Sequence, residues 1–313
     1  MFNKVSFFIV GMIACCGACA EEAELNNALR TTYVNCVGID DALHDMKVRA
    51  GINTAVTGVG TGLGAGAVAT GVAKARIDKD LEQKYKTIEG WAYGASGHTQ
   101  VADRQDWLMT FTNSLKGNDV DNSKAKKAQE ILELEKKSKK LGDWRTGLLA
   151  GNTATNVAGA VIAGTNKVNK TLEEQIDDCK LSVKDLKNAI ARAKFNGEDT
   201  SEAKEIADAC GEFEYVDISK INNRATGSMA SSIVGAGTGV VGTITSALAN
   251  SNKIRNDDSE RGQQKEKNLN ASANVLAVGS TVASATATVF NATQIKAIKD
   301  VAKVASQCTE VLK

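Results

Sequence analysis

GVGTGLGAGAVATG, residues 58–71, places six glycines in fourteen positions. Such a run has three physical readings: a phosphate-cradling loop, a membrane span, or a helix surface on which other helices pack closely. The loop reading needs a hydrophobic strand before the turn and an acidic residue ending the next strand. Here INTAVT precedes the run, the charged pattern KARIDKDLEQKYK follows it, and no G-K-[ST] completes a P-loop. The G-x-G-x-x-[GA] matches at Gly62, Gly64, Ala67 and at Gly60, Gly62, Ala65 are chance alignments in a glycine-rich run.

The run has relatives. Arg49 opens an uncharged stretch of 24 residues that ends at Lys74; Arg145 opens one of 21 ending at Lys167; Arg224 opens one of 28 ending at Lys253; a fourth lies between Lys267 and Lys296. All four are dominated by Gly, Ala, Ser and Thr, with Val as the main larger side chain. Small residues recur at four-residue spacing: Gly58, Gly62, Gly66; Gly147, Gly151, Thr155, Gly159, Ala163; Ser231, Gly235, Gly239; and Gly279, Ala283, Ala287. On a helix, i and i+4 share a face, so each ladder is read as a shallow groove that a partner backbone approaches. Glycine inside a helix costs roughly 0.5–1 kcal/mol relative to alanine, which close packing must offset. A leucine at Gly62 is expected to block the first groove.

The chain contains no proline among 313 residues, where average usage of about 5% predicts roughly fifteen. Long helices, which need nearly every backbone donor, are the simplest reason. Charge is balanced, 38 Lys+Arg against 37 Asp+Glu, so no global field draws the chain to nucleic acid. The basic run KAKKAQEILELEKKSKK is interleaved with Glu and lacks aromatic platforms, which also argues against nucleic acid as a partner.

The N-terminus, MFNKVSFFIVGMIACCGACA, has a lysine, an apolar stretch and an A-x-A ending at Ala20, the pattern of a secretory signal peptide over residues 1–20. Lipidation at Cys15 or Cys19 is the alternative. The expected location is outside the cytoplasm: periplasm, cell envelope or extracellular. Four cysteines follow. Cys36 lies 13 residues before Arg49 and Cys210 lies 14 before Arg224, while Cys179 and Cys308 each fall nine residues past a K-x-x-K pair. The chain thus reads as two copies of a cysteine-bracketed helical hairpin, residues 21–179 and 210–313, with a helical connector at 180–209. In an exported protein these cysteines are staples. Pairing within each copy, Cys36–Cys179 and Cys210–Cys308, is preferred; Cys179–Cys210 with Cys36–Cys308 is geometrically as easy. No C-x-x-C spacing supports zinc, and no metal or other cofactor is expected.

The expected fold is all-α: an elongated antiparallel bundle of Gly/Ala/Ser/Thr-rich helices. The first copy carries a longer connection, 75–144, than the 253–267 link of the second, and it gathers Trp91, Tyr93, Trp107 and Phe111. Recognition concentrates on loops held by rigid scaffolds, so 87–120 is the candidate contact surface, for self-association, a protein partner or a membrane interface. His44 and His98 lack partners at catalytic or metal spacing, and no G-x-S-x-G or H-E-x-x-H pattern occurs. The expected function is that of an exported, non-catalytic scaffold or interaction protein of the cell envelope. Membrane-inserting or pore-forming hairpins are the rival. Length permits spanning, but residues 54–73 hold only five large aliphatics and Asn152 and Asn156 interrupt the second stretch, so an aqueous or surface-anchored bundle is preferred.

Overall fold

The computed structural model describes residues 19–92, 122–255 and 259–313, and every regular element among them is helical. The helices are α1 Cys19–Cys36, α2 Ile39–Ala92, α3 Asn122–Thr165, α4 Lys170–Phe195, α5 Ser201–Ala209, α6 Ser219–Ala249, α7 Asn252–Arg255 and α8 Glu260–Leu312, with a 3-10 helix at Gly211–Tyr215. The longest, α2, α3 and α8, have 54, 44 and 53 residues. Three small-residue stretches thus continue unbroken into the charged sequence beside them, as a proline-free chain permits. Among the described glycines only Gly38 and Gly197, in the turns after α1 and α4, have positive φ, 93° and 82°. Several others, Gly60, Gly64 and Gly159 among them, stand where a Cβ would meet a neighbouring side chain.

The chain forms two compact units, one from the residues up to Val48 with Val168–Asn222 and Ile295–Lys313, the other from Arg49–Lys167 and Asn223–Gln294. Each hairpin read from the sequence contributes to both. The first unit has an ordinary apolar core. Leu25, Leu186, Ala189, Ala193, Ala203 and Ala207 pack α1, α4 and α5 together, and Thr32 Oγ1 of α1 donates to the Ser182 carbonyl of α4 at 3.2 Å. The segment 180–209 is therefore part of this core: α4 ends at Phe195, turns at Gly197 and resumes as α5. Both disulfides lie in this unit, Cys36–Cys179 and Cys210–Cys308, the within-copy pairing. They mark an oxidising compartment. Proteolytic mapping without reductant should recover these two linked peptide pairs; a Cys179–Cys210 link would refute the pairing.

The second unit is a bundle of four long antiparallel segments, from α2, α3, α6 and α8. A series of its buried positions alternates in steps of three and four: 53, 57, 60, 64, 67, 71, 74 in α2; 145, 149, 152, 156, 159, 163 in α3, with 166 just past its end; 228, 232, 235, 239, 242, 246 in α6; 273, 277, 280, 284, 287, 291, 294 in α8. A sustained seven-residue repeat of this kind is the seam of a coiled coil. Apart from Leu149, Gln294 and the terminal Lys74 and Arg145, its occupants are Gly, Ala, Ser, Thr and Asn, so backbones come close. A Cβ at Gly60 would meet Thr155 and Asn152, one at Gly64 would meet Thr281 and Asn152, and one at Gly159 would meet Thr57.

Candidate functional site

The seam of the second unit is held by side-chain hydrogen bonds. At its middle, Asn152 Nδ2 donates to Ser280 Oγ at 2.9 Å, Ser280 Oγ donates to the Gly235 carbonyl at 2.8 Å, and Asn156 Nδ2 reaches Ser284 Oγ at 2.8 Å. Ser284 Oγ lies 2.9 Å from Asn152 Oδ1, which ties α3, α6 and α8 into one cluster. Nearer one end, Asn53 Nδ2 donates to Asn291 Oδ1 at 2.9 Å, and Gln294 Nε2 to the Asn166 carbonyl at 2.8 Å. All of these side chains are buried. Paired hydrogen bonds offset the cost of taking amides and hydroxyls out of water. They also fix register in a way that interchangeable methyl groups do not.

The outside of the same segments is apolar. Fifteen exposed large aliphatic side chains lie in the uncharged stretches, including Ile52 and Val59 of α2, Val157 and Val161 of α3, Val240, Val241 and Ile244 of α6, and Val278, Val282 and Val289 of α8; Val289 is 62% exposed. Exposed and half-buried threonines of these helices turn their hydroxyls back onto their own helix: Thr238 to Val234 O, Thr245 to Val241 O, Thr286 to Val282 O and Thr293 to Val289 O, at 2.7–3.0 Å. Their donors need no water. Basic residues bound the apolar girdle, with Arg49, Lys167, Arg224 and Lys296 at one end and Lys74, Arg145, Lys253 and Lys267 at the other. Trp144, 59% exposed, stands beside Arg145 at the second end.

That second end carries a charged mouth. The Arg145 guanidinium, fully buried, donates from Nε to Ser246 Oγ at 2.8 Å and from its terminal nitrogens to Asn274 Oδ1 at 3.0 Å and Asn270 Oδ1 at 2.8 Å. Three neutral acceptors replace its hydration shell. Lys74, 1% exposed, pairs with Asp78 at 2.6 Å and lies 3.6 Å from Glu266; Ser138 Oγ donates to the other Asp78 oxygen at 2.5 Å. A cavity of about 340 Å³ opens here, lined in part by Asp78, Tyr85, Glu135, Glu266, Asn270 and Asn274. Glu266 sits just beyond the uncharged stretch. Burial holds its carboxyl above the ordinary 4.5, against the opposing attraction of Lys74. The folded chain then binds this proton more tightly than the unfolded one. The resulting stability is complete below pH 4.5 and is lost as pH rises through the raised value. Glu266→Gln should flatten that part of the stability–pH curve, measured as urea midpoints from mildly acidic to neutral pH; an unchanged slope would assign the dependence to another group.

The structure redistributes the glycines singled out in the sequence. Gly151, Gly159, Gly235 and Gly239 face side chains of neighbouring helices closely, Gly66 approaches Leu148, and Gly279 stands at ordinary contact distance from Thr238. Gly58, Gly62 and Gly147 have open space where a Cβ would stand. The close approach on α2 falls instead on Gly60, Gly64 and Gly71, because the seam advances by three and four in alternation, not by four. Tyr93, Trp107 and Phe111 lie outside the described residues, as does most of the 1–20 segment; Trp91 falls in the last turn of α2. His44 is exposed on α2. Among the described residues no group of three or more His, Cys, Asp or Glu is placed to hold a metal ion. The seam residues Asn53, Asn152, Asn156, Ser280, Ser284 and Asn291 were not singled out as a set, although their three-four spacing is present in the sequence.

The fold and this site define a helical bundle with a hydrogen-bonded polar interior and an apolar exterior. No protein-family model matches the chain, and neither a curated protein nor a solved structure matches it.

Proposed function

We propose that the protein is an exported, non-catalytic membrane protein whose second unit inserts in a bilayer as two helical hairpins. The observation that carries this reading is the inversion of polarity: valines and isoleucines face outward along the uncharged stretches while Asn, Ser and Thr fill the seam. In hydrocarbon, polar side chains face the bundle interior and find partners there, and small residues let helices pack without a hydrophobic drive between them. Three helical segments are long and apolar enough to cross a membrane, within Ala23–Thr87, Ser219–Ala249 and Arg261–Leu312. The shortest uncharged stretch, 21 residues, spans about 31 Å as a helix, matching a hydrocarbon core of about 30 Å. Basic residues at both ends suit anionic headgroups, and an exposed tryptophan at the boundary suits the interface.

The low hydrophobicity of the stretches, which favoured an aqueous bundle, has a physical account within this reading. Only the outward half of each helix meets lipid, and the inward half is reserved for close packing. The two cysteine-bracketed hairpins would supply four spans, the fourth being the uncharged stretch 146–166 that closes α3, which has the length but is less apolar than the other three. The purified full chain should enter the detergent phase on Triton X-114 separation and resist carbonate extraction from native membranes. A chain recovered in the aqueous phase of both would reject insertion and return the aqueous scaffold, with 87–120 as its contact surface.

A further inference from the structure

We infer that the cavity at the charged end of the second unit binds a small organic cation through its primary ammonium group, with Glu135 as the anchoring carboxylate. Glu135 is only 8% exposed, lines the cavity, and leaves Oε2 without a hydrogen-bond partner. Its other oxygen accepts from the Tyr85 hydroxyl at 2.5 Å. A buried carboxylate with one unsatisfied oxygen is costly unless a cation or donor reaches it.

Of the cations in and beside the cavity, Lys79 is exposed and three others are held by other groups. Lys267 pairs with Glu82 at 3.0 Å, Lys74 with Asp78, and Arg255 donates to the Glu135 backbone carbonyl and to Asn250 Oδ1. Glu266, also in the lining, lies 3.6 Å from Lys74. Two acidic side chains therefore share one cavity, and Glu135 is the one with an unpartnered buried oxygen. The donor set does not suit a metal ion, for the described residues place no three carboxylate, His or Cys groups around a common point. It suits an ammonium group, whose three N–H donors take acceptors singly. The remaining lining includes Ala75, Leu81 and Ala271, which offer apolar surface to a short aliphatic stem. The volume, about 340 Å³, admits a small ligand and no macromolecule. This inference does not rest on membrane insertion: Glu135, Tyr85 and Glu266 lie outside the uncharged stretches, and Asn270, Ala271 and Asn274 stand within seven residues of the end of the fourth.

The test is calorimetric titration of the full chain, in buffer or in detergent micelles as its solubility requires, with n-butylamine and with 1-butanol as the neutral isostere. Saturable binding of the amine with Kd on the order of 1 mM is expected, and butanol should bind at least about 10-fold more weakly. Glu135→Gln keeps an acceptor for Tyr85 and should lose at least about 10-fold in amine affinity. Ala271→Phe, which narrows the cavity at an exposed position without changing charge, should also abolish binding, and decides the matter if the Gln variant misfolds. Absence of saturable amine binding, equal binding of butanol, or unchanged affinity in the folded variants would overturn the assignment.

Discussion

Val241→Lys combined with Val282→Lys should release the protein from membranes. Both valines are exposed, and both fall within three residues of the midpoint of their uncharged stretch. At the centre of a spanning helix each lysine costs about 2.5–3.5 kcal/mol on the insertion scale, so the pair opposes insertion by about 5–7 kcal/mol. In an aqueous bundle the same exposed substitutions fall within about 0.5 kcal/mol of neutral. The two readings of the chain are thus separated by several kcal/mol at positions that make no specific contact. The carbonate-resistant fraction measures the outcome, with Val34→Lys as the control, because Val34 is exposed in the first unit and outside every uncharged stretch. Membrane retention equal to that of the unsubstituted chain would sink the insertion reading.

The contrast between the two units sharpens this expectation. The first buries Leu, Ile, Val and Phe213 and carries its charges outside, the arrangement that water imposes. The second buries asparagine and serine along much of its seam, around an apolar level at Ala67, Leu149 and Ala277, and leaves valine outside. The two units therefore differ in what their helices bury and what they expose. An aqueous origin for the second unit would have to explain why no charged residue occupies any outward position from 50 to 73 or from 268 to 295.

The helical class, the cysteine pairing and the four small-residue segments were legible in the sequence because they rest on composition and spacing. The absence of proline and the four uncharged stretches require no tertiary knowledge. The facing of the helices was less legible. A four-residue ladder drifts around a helix of 3.6 residues per turn, whereas a seam alternating three and four follows the partner through a supercoil. In GVGTGLGAGAVATG both patterns are present at once, since glycine occupies every second position from 58 to 66. Gly58, Gly62 and Gly66 and their neighbours Gly60 and Gly64 are therefore indistinguishable by identity. The partner side chains decide: Asn152 and Thr281 crowd the second set. Asn152 and Asn156 likewise read as interruptions of a span when taken singly, and as its axis only once Ser280 and Ser284 are seen opposite them. The charged mouth was invisible because Lys74, Asp78, Glu135 and Glu266 come from three helices.

The seam assignment has its own decisive pair of substitutions. Gly64→Leu should destabilise the second unit strongly, and Gly62→Leu, two residues away, should not. At Gly64 a Cβ alone would meet Thr281, with Asn152 Nδ2 at 2.9 Å, before the rest of the leucine is placed. Relief requires moving Asn152, which breaks its bond to Ser280 and disturbs the Ser284 cluster. Overpacking of this kind costs about 1–3 kcal/mol, and a stranded buried amide about 1–3 kcal/mol more. At Gly62 the position is exposed and open. Leucine there gains about 0.5–1 kcal/mol of helix propensity over glycine and adds apolar surface on the outward face. The expected result is a lowered thermal midpoint, followed by the helical signal at 222 nm, for the Gly64 variant and an equal or raised one for the Gly62 variant. Equal losses at both positions would mean that α2 packs through its four-residue ladder and that the polar seam is misplaced by half a turn.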